Sequence, residues 1–228
     1  RDDVTYIQCE SEIHLLKEFL VFWEKHQPDV ITGWNTEFFD IPYLCNRITH
    51  LFGEDEINRL SPWNSVQSRD IYKMGRTHQT YNIQGVAALD YFDLYRKFTY
   101  TAQESYRLDH IAKVELGESK SGNPYDTFRD WYTKDFQSFI EYNIQDVEIV
   151  DKLEDKMKLI ELCLTMAYDA KVNYTDVLGS VRYWDVLIYN HLREKKIVIP
   201  QKKEQKKVEQ FEGAYVKDPQ VGMHKWVM

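Results

Sequence analysis

The sequence predicts an α/β fold. Short runs with the alternating or β-branched character of strands are interspersed with longer stretches whose apolar residues recur every three or four positions. That interspersion is typical of α/β proteins. The chain has 228 residues, of which 43% are hydrophobic and 29% charged, and this balance indicates a folded globular chain.

The first part of the chain predicts two strands and two helices. Residues 5–9 alternate and indicate a short strand. Ser11 is a suitable N-cap for a helix that continues to residue 26. The β-branched run at 30–32 predicts a buried strand. A second helix is expected over 41–53, because a proline suits its first turn and a glycine its end.

The middle of the chain predicts a hairpin over 65–86 that turns at Gly75. Since this segment carries few core residues, we expect it to project into solvent. The further expected elements are a strand at 86–91, helices at 94–98 and 106–114, and a loop at 117–126.

The longest helical pattern begins at Thr133 and is expected to continue to about Ala170, since apolar residues repeat there at helical spacing. Beyond it we expect a helix over 180–194 with Trp184 buried, a strand at 197–199, and an exposed linker at 201–210 composed almost wholly of Lys, Gln and Glu.

The bulk composition excludes several classes of protein. A formal net charge of −8 argues mildly against a sequence-blind DNA binder, although it permits an acidic metal site that acts on one DNA end. The three widely spaced cysteines indicate reduced thiols rather than a disulfide framework or a zinc site. We expect neither a signal peptide nor a transmembrane helix, since the sequence shows no signal pattern and no apolar stretch long enough to cross a membrane.

Asp40 is the first candidate site residue. It follows the predicted strand at 30–32 and directly precedes a predicted helix. Open α/β sheets place their ligands at the carboxyl ends of strands, where a carboxylate can hold a divalent cation. The alternative is that Asp40 simply caps the helix.

Tyr142 and Asp146 form the second candidate. They lie four residues apart on the longest predicted helix, so they share one face about one turn apart. A carboxylate there could bind a metal ion while the phenol orients a water molecule. The alternative is an ordinary amphipathic helix whose polar face carries these two residues.

The order and spacing of several segments carry a family resemblance that no single motif could. The segments are Gly33-Trp34-Asn35 with Asp40, the hairpin, Leu89-Asp90, Tyr106 to Asp109, Tyr142 to Asp146, and Phe211-Glu212-Gly213-Ala214. The series covers essentially the whole chain and resembles the proofreading region of family B DNA polymerases, most closely those of the T-even phage type. The last segment is similar to the Tyr-x-Gly-Gly/Ala element that precedes the palm, with Phe211 in place of Tyr.

The resemblance implies a ribonuclease-H-like fold of the DEDD exonuclease type, in which four carboxylates hold two divalent metal ions, Mg²⁺ or Mn²⁺. Asp40 and Asp146 would be two of these ligands, and Tyr142 would help to position the attacking water.

The resemblance also implies contacts with DNA. Trp34 and Asn35 lie where the family contacts the frayed single strand, and Phe38 or Phe39 could stack on a base. We expect at least one of these two rings to lie in the core instead. The hairpin resembles one that helps to separate primer from template.

The family's first exonuclease motif, Asp-x-Glu, and its polymerase motif Asp-x-x-Ser-Leu-Tyr-Pro-Ser are absent from the sequence. We therefore expect an internal piece of a longer chain, with an exonuclease domain truncated at its N-terminal strands over 1–158. Residues 159–201 would return to the N-terminal domain, and 202–228 would form a linker and the start of the palm. Two carboxylates cannot enforce a paired-metal geometry, so this piece is expected to bind metal weakly or not at all and to be inactive or nearly so.

The implied parent is a DNA-directed DNA polymerase with 3′→5′ exonuclease activity, in the cytoplasm of an infected bacterial host. Its implied partners are a single-stranded 3′ end, a primer–template, the rest of the polymerase chain, a sliding clamp and a single-strand binding protein. Two alternatives stay open: a non-catalytic interaction module of the same fold, and an RNA-directed exonuclease. The Gly213-Ala214 element argues against the latter.

Overall fold

The computed structural model describes residues 4–73, 75–118, 122–199, 217–218 and 221–223. Its helices are α1 Glu12–His26, α2 Asp40–Phe52, α3 Tyr91–Phe98, α4 Leu108–Leu116, α5 Phe128–Lys134, α6 Phe136–Met157, α7 Leu159–Ala170 and α8 Ser180–Glu194, with 3₁₀ segments at Glu54–Leu60 and Tyr174–Leu178. Its strands are β1 Val30–Ile31, β2 Val66–Lys73, β3 Arg76–Ile83 and β4 Ala87–Ala88. The predicted linker at 201–210 and the segment 211–214 lie outside the described residues.

Two small sheets make the fold mixed α/β. β1 pairs in parallel with β4, and β2 pairs antiparallel with β3 in a register that runs from Val66 opposite Ile83 to Lys73 opposite Arg76. The hairpin prediction is therefore confirmed. Its turn end is exposed, whereas Thr80 and Ile83 near its base are buried.

Several predicted strands are absent or shorter than expected. Residues 5–9 and 197–199 form no strand, and only 87–88 of the predicted 86–91 are strand. The Leu89 and Tyr91 N–H groups still donate to the Ile31 and Gly33 carbonyls, at 2.9 and 2.8 Å. β1 is half-buried rather than buried. The expected strand at 86–91 is cut short because Asp90 caps α3, which begins at Tyr91 instead of residue 94.

The predicted first helix is confirmed, and its Ser11 hydroxyl accepts a hydrogen bond from the His14 N–H at 3.2 Å. The long helix expected from Thr133 to Ala170 is wrong, because the chain breaks at Asp135 and again at Lys158. Lys158 adopts left-handed backbone angles.

Glu154 supplies the physical reason for the second break. Its carboxylate accepts the backbone N–H groups of Ile160 and Glu161 at 3.0 and 3.2 Å. These donors belong to the first turn of α7, which would otherwise lack partners, so the side chain stabilises a new helix start.

Two hydrophobic clusters form the core. The first includes Leu89, which lies between β4 and α3, and residues of α3, α4, α6 and α7: Tyr91, Leu94, Tyr95, Ile111, Ile149, Leu153, Leu159 and Cys163. The second includes Leu16, Leu20, Ile41, Cys45, Ile48, Leu60 and Ile83, from α1, α2, the first 3₁₀ segment and β3. β1 lies between them, since Val30 packs against the first cluster and Ile31 against the second.

The helix α8 is confirmed, but the expectation that Trp184 is buried is wrong. The Trp184 side chain is 56% exposed, and no residue of α8 is buried. Within the described residues, no helix combines the length and apolar character needed to cross a membrane.

Candidate functional site

The loop that follows β1 is anchored to the first core cluster by Trp34. Its indole N–H donates to the Tyr106 carbonyl at 3.1 Å. The half-buried ring also lies 5.8 to 6.5 Å from the rings of Tyr91, Phe92 and Tyr95. Trp34 therefore fixes the loop through its side chain.

Asp90 holds the next three residues of the loop. One carboxylate oxygen, Oδ1, accepts the Asn35 N–H at 2.8 Å, and the other, Oδ2, accepts the Glu37 N–H at 3.1 Å and the Thr36 hydroxyl at 3.3 Å. Oδ1 also accepts the Phe92 N–H at 3.0 Å, which caps α3. The residue is only 3% exposed.

Burial raises the pKa of the Asp90 carboxyl, and the backbone N–H groups that it accepts oppose this rise. Sequence reasoning placed Asp90 in the family series but gave it no role. An acid directly before an amphipathic helix is a visible N-cap signal, whereas its contacts with the distant loop leave no local pattern.

Asp40 is the first residue of α2, and Phe39 occupies the N-cap position. The alternative that Asp40 caps this helix is therefore wrong. The residue is exposed, yet partial desolvation still raises the pKa of its carboxyl, opposed by its own backbone N–H.

The two phenylalanines before Asp40 differ in their surroundings. Phe38 is half-buried, and its ring meets the His78 ring of the hairpin edge-on at 5.5 Å. Phe39 is 66% exposed. Phe38 is thus a packing residue, and only Phe39 presents a free ring face to solvent.

Tyr142 and Asp146 lie one turn apart on α6, and both are half-buried. The Tyr142 ring lies 4.9 Å from the ring of Trp131, which is 2% exposed, and 6.3 Å from that of Phe128. Oδ1 of Asp146 is buried. Aromatic packing from α5 therefore sets the position of this helix face.

The donor chemistry fits a hard divalent cation, because both candidate ligands are carboxylates. In the described part of the chain, however, no group of three or more His, Cys, Asp or Glu side chains could hold a metal ion. Asp40 begins a helix of the second cluster, while Asp146 lies on a helix of the first. The described residues can thus supply only part of a metal site.

Comparison with known proteins supports the family resemblance. Residues 2–111 match the model of the DNA polymerase family B exonuclease domain. The whole chain also aligns with the DNA-directed DNA polymerases of Escherichia phage RB69, at 39% identity, and Enterobacteria phage T4, at 36%. The chain is thus similar to the exonuclease domain of family B DNA polymerases over residues 2–111, and to two phage DNA polymerases over its whole length. It spans about a quarter of the length of these two curated relatives.

The family B relationship extends beyond phages, since 94% of the chain aligns at 27% identity with 20% of the DNA polymerase delta catalytic subunit of Drosophila melanogaster. Family B exonuclease domains are ribonuclease-H-like and in general depend on divalent metal ions. Asp40 lies within the residues that match the exonuclease model. Tyr142 and Asp146 lie beyond that match, within the alignment to the phage polymerases.

Proposed function

We propose that this chain is part of a DNA polymerase that replicates DNA and proofreads by metal-dependent 3′→5′ hydrolysis of the primer end. The observation that carries the proposal is the alignment of the whole chain, at 39% identity, with a phage DNA-directed DNA polymerase. The match of residues 2–111 supports assignment of the exonuclease reaction to this part of the polymerase.

In this proposal Asp40 and Asp146 contribute to holding two Mg²⁺ or Mn²⁺ ions, together with acids from elsewhere in the polymerase. When bound, such a pair of ions activates the attacking water and stabilises the leaving 3′ oxygen. The Tyr142 hydroxyl orients that water. The packing of its ring on Trp131 supports this role, because it restricts where the hydroxyl can lie.

The loop before Asp40 receives the single-stranded 3′ end. Asn35 and Phe39 are exposed and can meet a nucleotide, and a free aromatic face suits base stacking. Trp34 contributes to this surface chiefly by fixing the loop, since its indole N–H is already bonded to Tyr106. The projecting hairpin helps to separate primer from template.

The chain alone is proposed to be an exonuclease domain truncated at its N-terminal strands, over 1–158, followed by helices at 159–201 and the start of the palm at 202–228. Asp40 and Asp146 are the two ligands assigned in this chain, and two carboxylates cannot enforce a paired-metal geometry, so weak metal binding and little or no activity are proposed for it. The other proposed partners are the rest of the polymerase chain, a sliding clamp and a single-strand binding protein, in the cytoplasm of an infected bacterium.

Release of nucleotides from a 3′-labelled single strand with Mg²⁺ or Mn²⁺ tests this proposal. We expect release by the full-length polymerase that contains this chain and none by the chain alone. In the full-length protein, Asp40→Asn and Asp146→Asn should each abolish release. Asp151→Asn is the matched control, because Asp151 is an exposed acid on the same helix. Release by the chain alone that disappears in Asp146→Asn would contradict the incomplete-site proposal.

A non-catalytic interaction module of the same fold is the second candidate, favoured by the location of Asp40 and Asp146 on helices of different core clusters. It predicts that the full-length protein binds single-stranded DNA but releases no nucleotide with either metal ion.

A further inference from the structure

Among the described residues, Asp90 is the only Asp or Glu that is buried as a whole residue. Placing an ionisable group in the core is unfavourable unless hydrogen bonds compensate it. Both oxygens of this carboxylate are supplied with donors, three from the loop at 35–37 and one from its own helix α3. A cap for α3 would need only the last of these.

The loop held by Asp90 in turn holds the start of α2. The Asn35 carbonyl accepts the Phe39 N–H at 3.1 Å, and the Thr36 carbonyl accepts the Ile41 N–H at 3.0 Å. These two bonds lie on either side of Asp40 in the sequence. Asn35 and Thr36, two of the three loop residues that donate to Asp90, thus also accept the N–H groups on either side of Asp40.

We propose that Asp90 is a positioning residue for the exonuclease site, which fixes the 35–37 loop and, through it, the carboxylate of Asp40. The inference rests on the proposed function of Asp40 as a metal ligand. The exposed Asp40 side chain has little packing of its own, so its location depends on the backbone that carries it. Residues that orient a metal ligand typically alter metal affinity or activity about tenfold or more when they are replaced.

The arrangement of donors makes Asp90→Asn a selective variant. Asparagine is an equally good N-cap, so its carbonyl oxygen can keep the Phe92 and Asn35 bonds at Oδ1. Its NH₂ group would then replace Oδ2 and face the Glu37 N–H, which loses its acceptor. The helix α3 therefore stays capped while one half of the loop is released.

The experiment measures hydrogen exchange and exonuclease activity in the full-length polymerase that contains this chain. For Asp90→Asn we expect faster amide exchange over 33–41, unchanged exchange over 91–98, and an increase of about tenfold in the Mg²⁺ concentration that gives half-maximal nucleotide release. Polymerisation should be unchanged. Ser61→Ala is the matched control, because it also removes a buried side-chain acceptor of a backbone N–H, that of Trp63.

The outcomes separate the two proposals. If Asp40→Asn retains nucleotide release, the proposed function of Asp40 fails. If Asp40→Asn is inactive while Asp90→Asn loosens 33–41 without changing the Mg²⁺ requirement, only the positioning role is overturned. Should Asp90→Asn not fold, Thr36→Val removes the hydroxyl donor alone and must raise the Mg²⁺ requirement in the same direction. An unchanged requirement in that variant would overturn the positioning role.

Discussion

The two proposed metal-binding carboxylates lie in regions that are held by different interactions, hydrogen bonds at Asp40 and aromatic packing at Asp146. Asp40 follows a loop that hydrogen bonds hold to Asp90. Asp146 lies on a helix of 22 residues whose neighbouring face is packed by aromatic rings, chiefly that of Trp131.

The two regions therefore respond differently to mutation. Hydrogen bonds are directional, so a single misplaced donor can alter the loop without unfolding the protein. Packing is non-directional and shared among many atoms, so the helix face moves only when a large side chain is removed. Mutations near Asp40 should therefore change geometry before stability, and mutations near Asp146 should change stability first.

The largest expected effect comes from Trp131→Ala. Loss of this buried ring should lower the free energy of unfolding by about 3–5 kcal/mol, because it leaves a cavity against Tyr142 and Phe139. Urea denaturation measures the change. Trp131→Phe keeps much of the ring packing and loses the hydrogen bond to Ser138, so it should cost less. Equal stability of the wild-type protein and the alanine variant would contradict the packing account.

The next effect concerns the backbone of Asn35, whose φ of 68° lies in the left-handed region. Asn35→Val should destabilise the protein by about 1–2 kcal/mol, since a β-branched residue is strained there, whereas Asn35→Gly should be nearly neutral. Thermal or urea unfolding separates them. If Asn35→Gly in the full-length polymerase weakens single-strand binding at unchanged stability, the side chain itself contacts DNA. Unchanged binding would leave only the backbone role.

A smaller effect on the free energy of unfolding is expected when the ion pair between the loop and the hairpin is removed. Arg69 donates to Glu37 at 2.6 Å, and their side chains are 55% and 24% exposed. A double-mutant cycle should give a coupling below about 1 kcal/mol that declines with added salt. The exposed Arg47–Glu12 pair is the control for salt screening. A much larger, salt-insensitive coupling would show that the hairpin is fixed to the loop more rigidly than its exposure predicts.

The smallest expected effect is a difference in the alkylation rates of the three cysteines in the folded chain. Burial raises the pKa of Cys45 to about 12 and that of Cys163 to about 11. A raised pKa lowers the thiolate fraction at about pH 8, so alkylation of the native chain should reach half-exposed Cys9 first.

The order in which the two buried thiols are alkylated also compares the stability of the two regions. Cys45 lies on α2, which begins at Asp40, and Cys163 lies on α7 in the larger cluster that includes α6. In low urea we expect Cys45 to be alkylated before Cys163, because the second cluster is the smaller one. Mass spectrometry of the labelled peptides gives the order, and the reverse order would place the weaker region at α6.

Sequence reasoning predicted the elements that depend on local periodicity. The residue pattern within each segment was enough to predict α1, the hairpin and α8. The break at Lys158 was missed because it depends on a side chain from the preceding helix, Glu154, capping the next one. Likewise, periodicity predicted a buried Trp184, whereas α8 meets the first core cluster through Tyr183 and donates from Asn190 to the Ala170 carbonyl of α7, which leaves Trp184 exposed.

The candidate site divides in the same way. Tyr142 and Asp146 share a helix face, as four-residue spacing predicts. Only the backbone angles show that Phe39, and not Asp40, is the N-cap of α2. The contacts of Asp90 could not be read from the sequence because they join residues more than 50 positions apart. Local rules thus describe α6, while the loop before Asp40 is defined by tertiary contacts.

The span of the bonds that hold the Asp40 loop also orders events during synthesis. Asn35 and Asp90 are 55 residues apart, and Trp34 and Tyr106 are 72 apart. On a ribosome, the strand β1 therefore emerges well before the residues that secure the loop behind it. The helix α6 closes its own hydrogen bonds within a few residues as it emerges. Asp90 and Tyr106 both precede α6 in the sequence, so the Asp40 side of the site can be secured before Asp146 emerges.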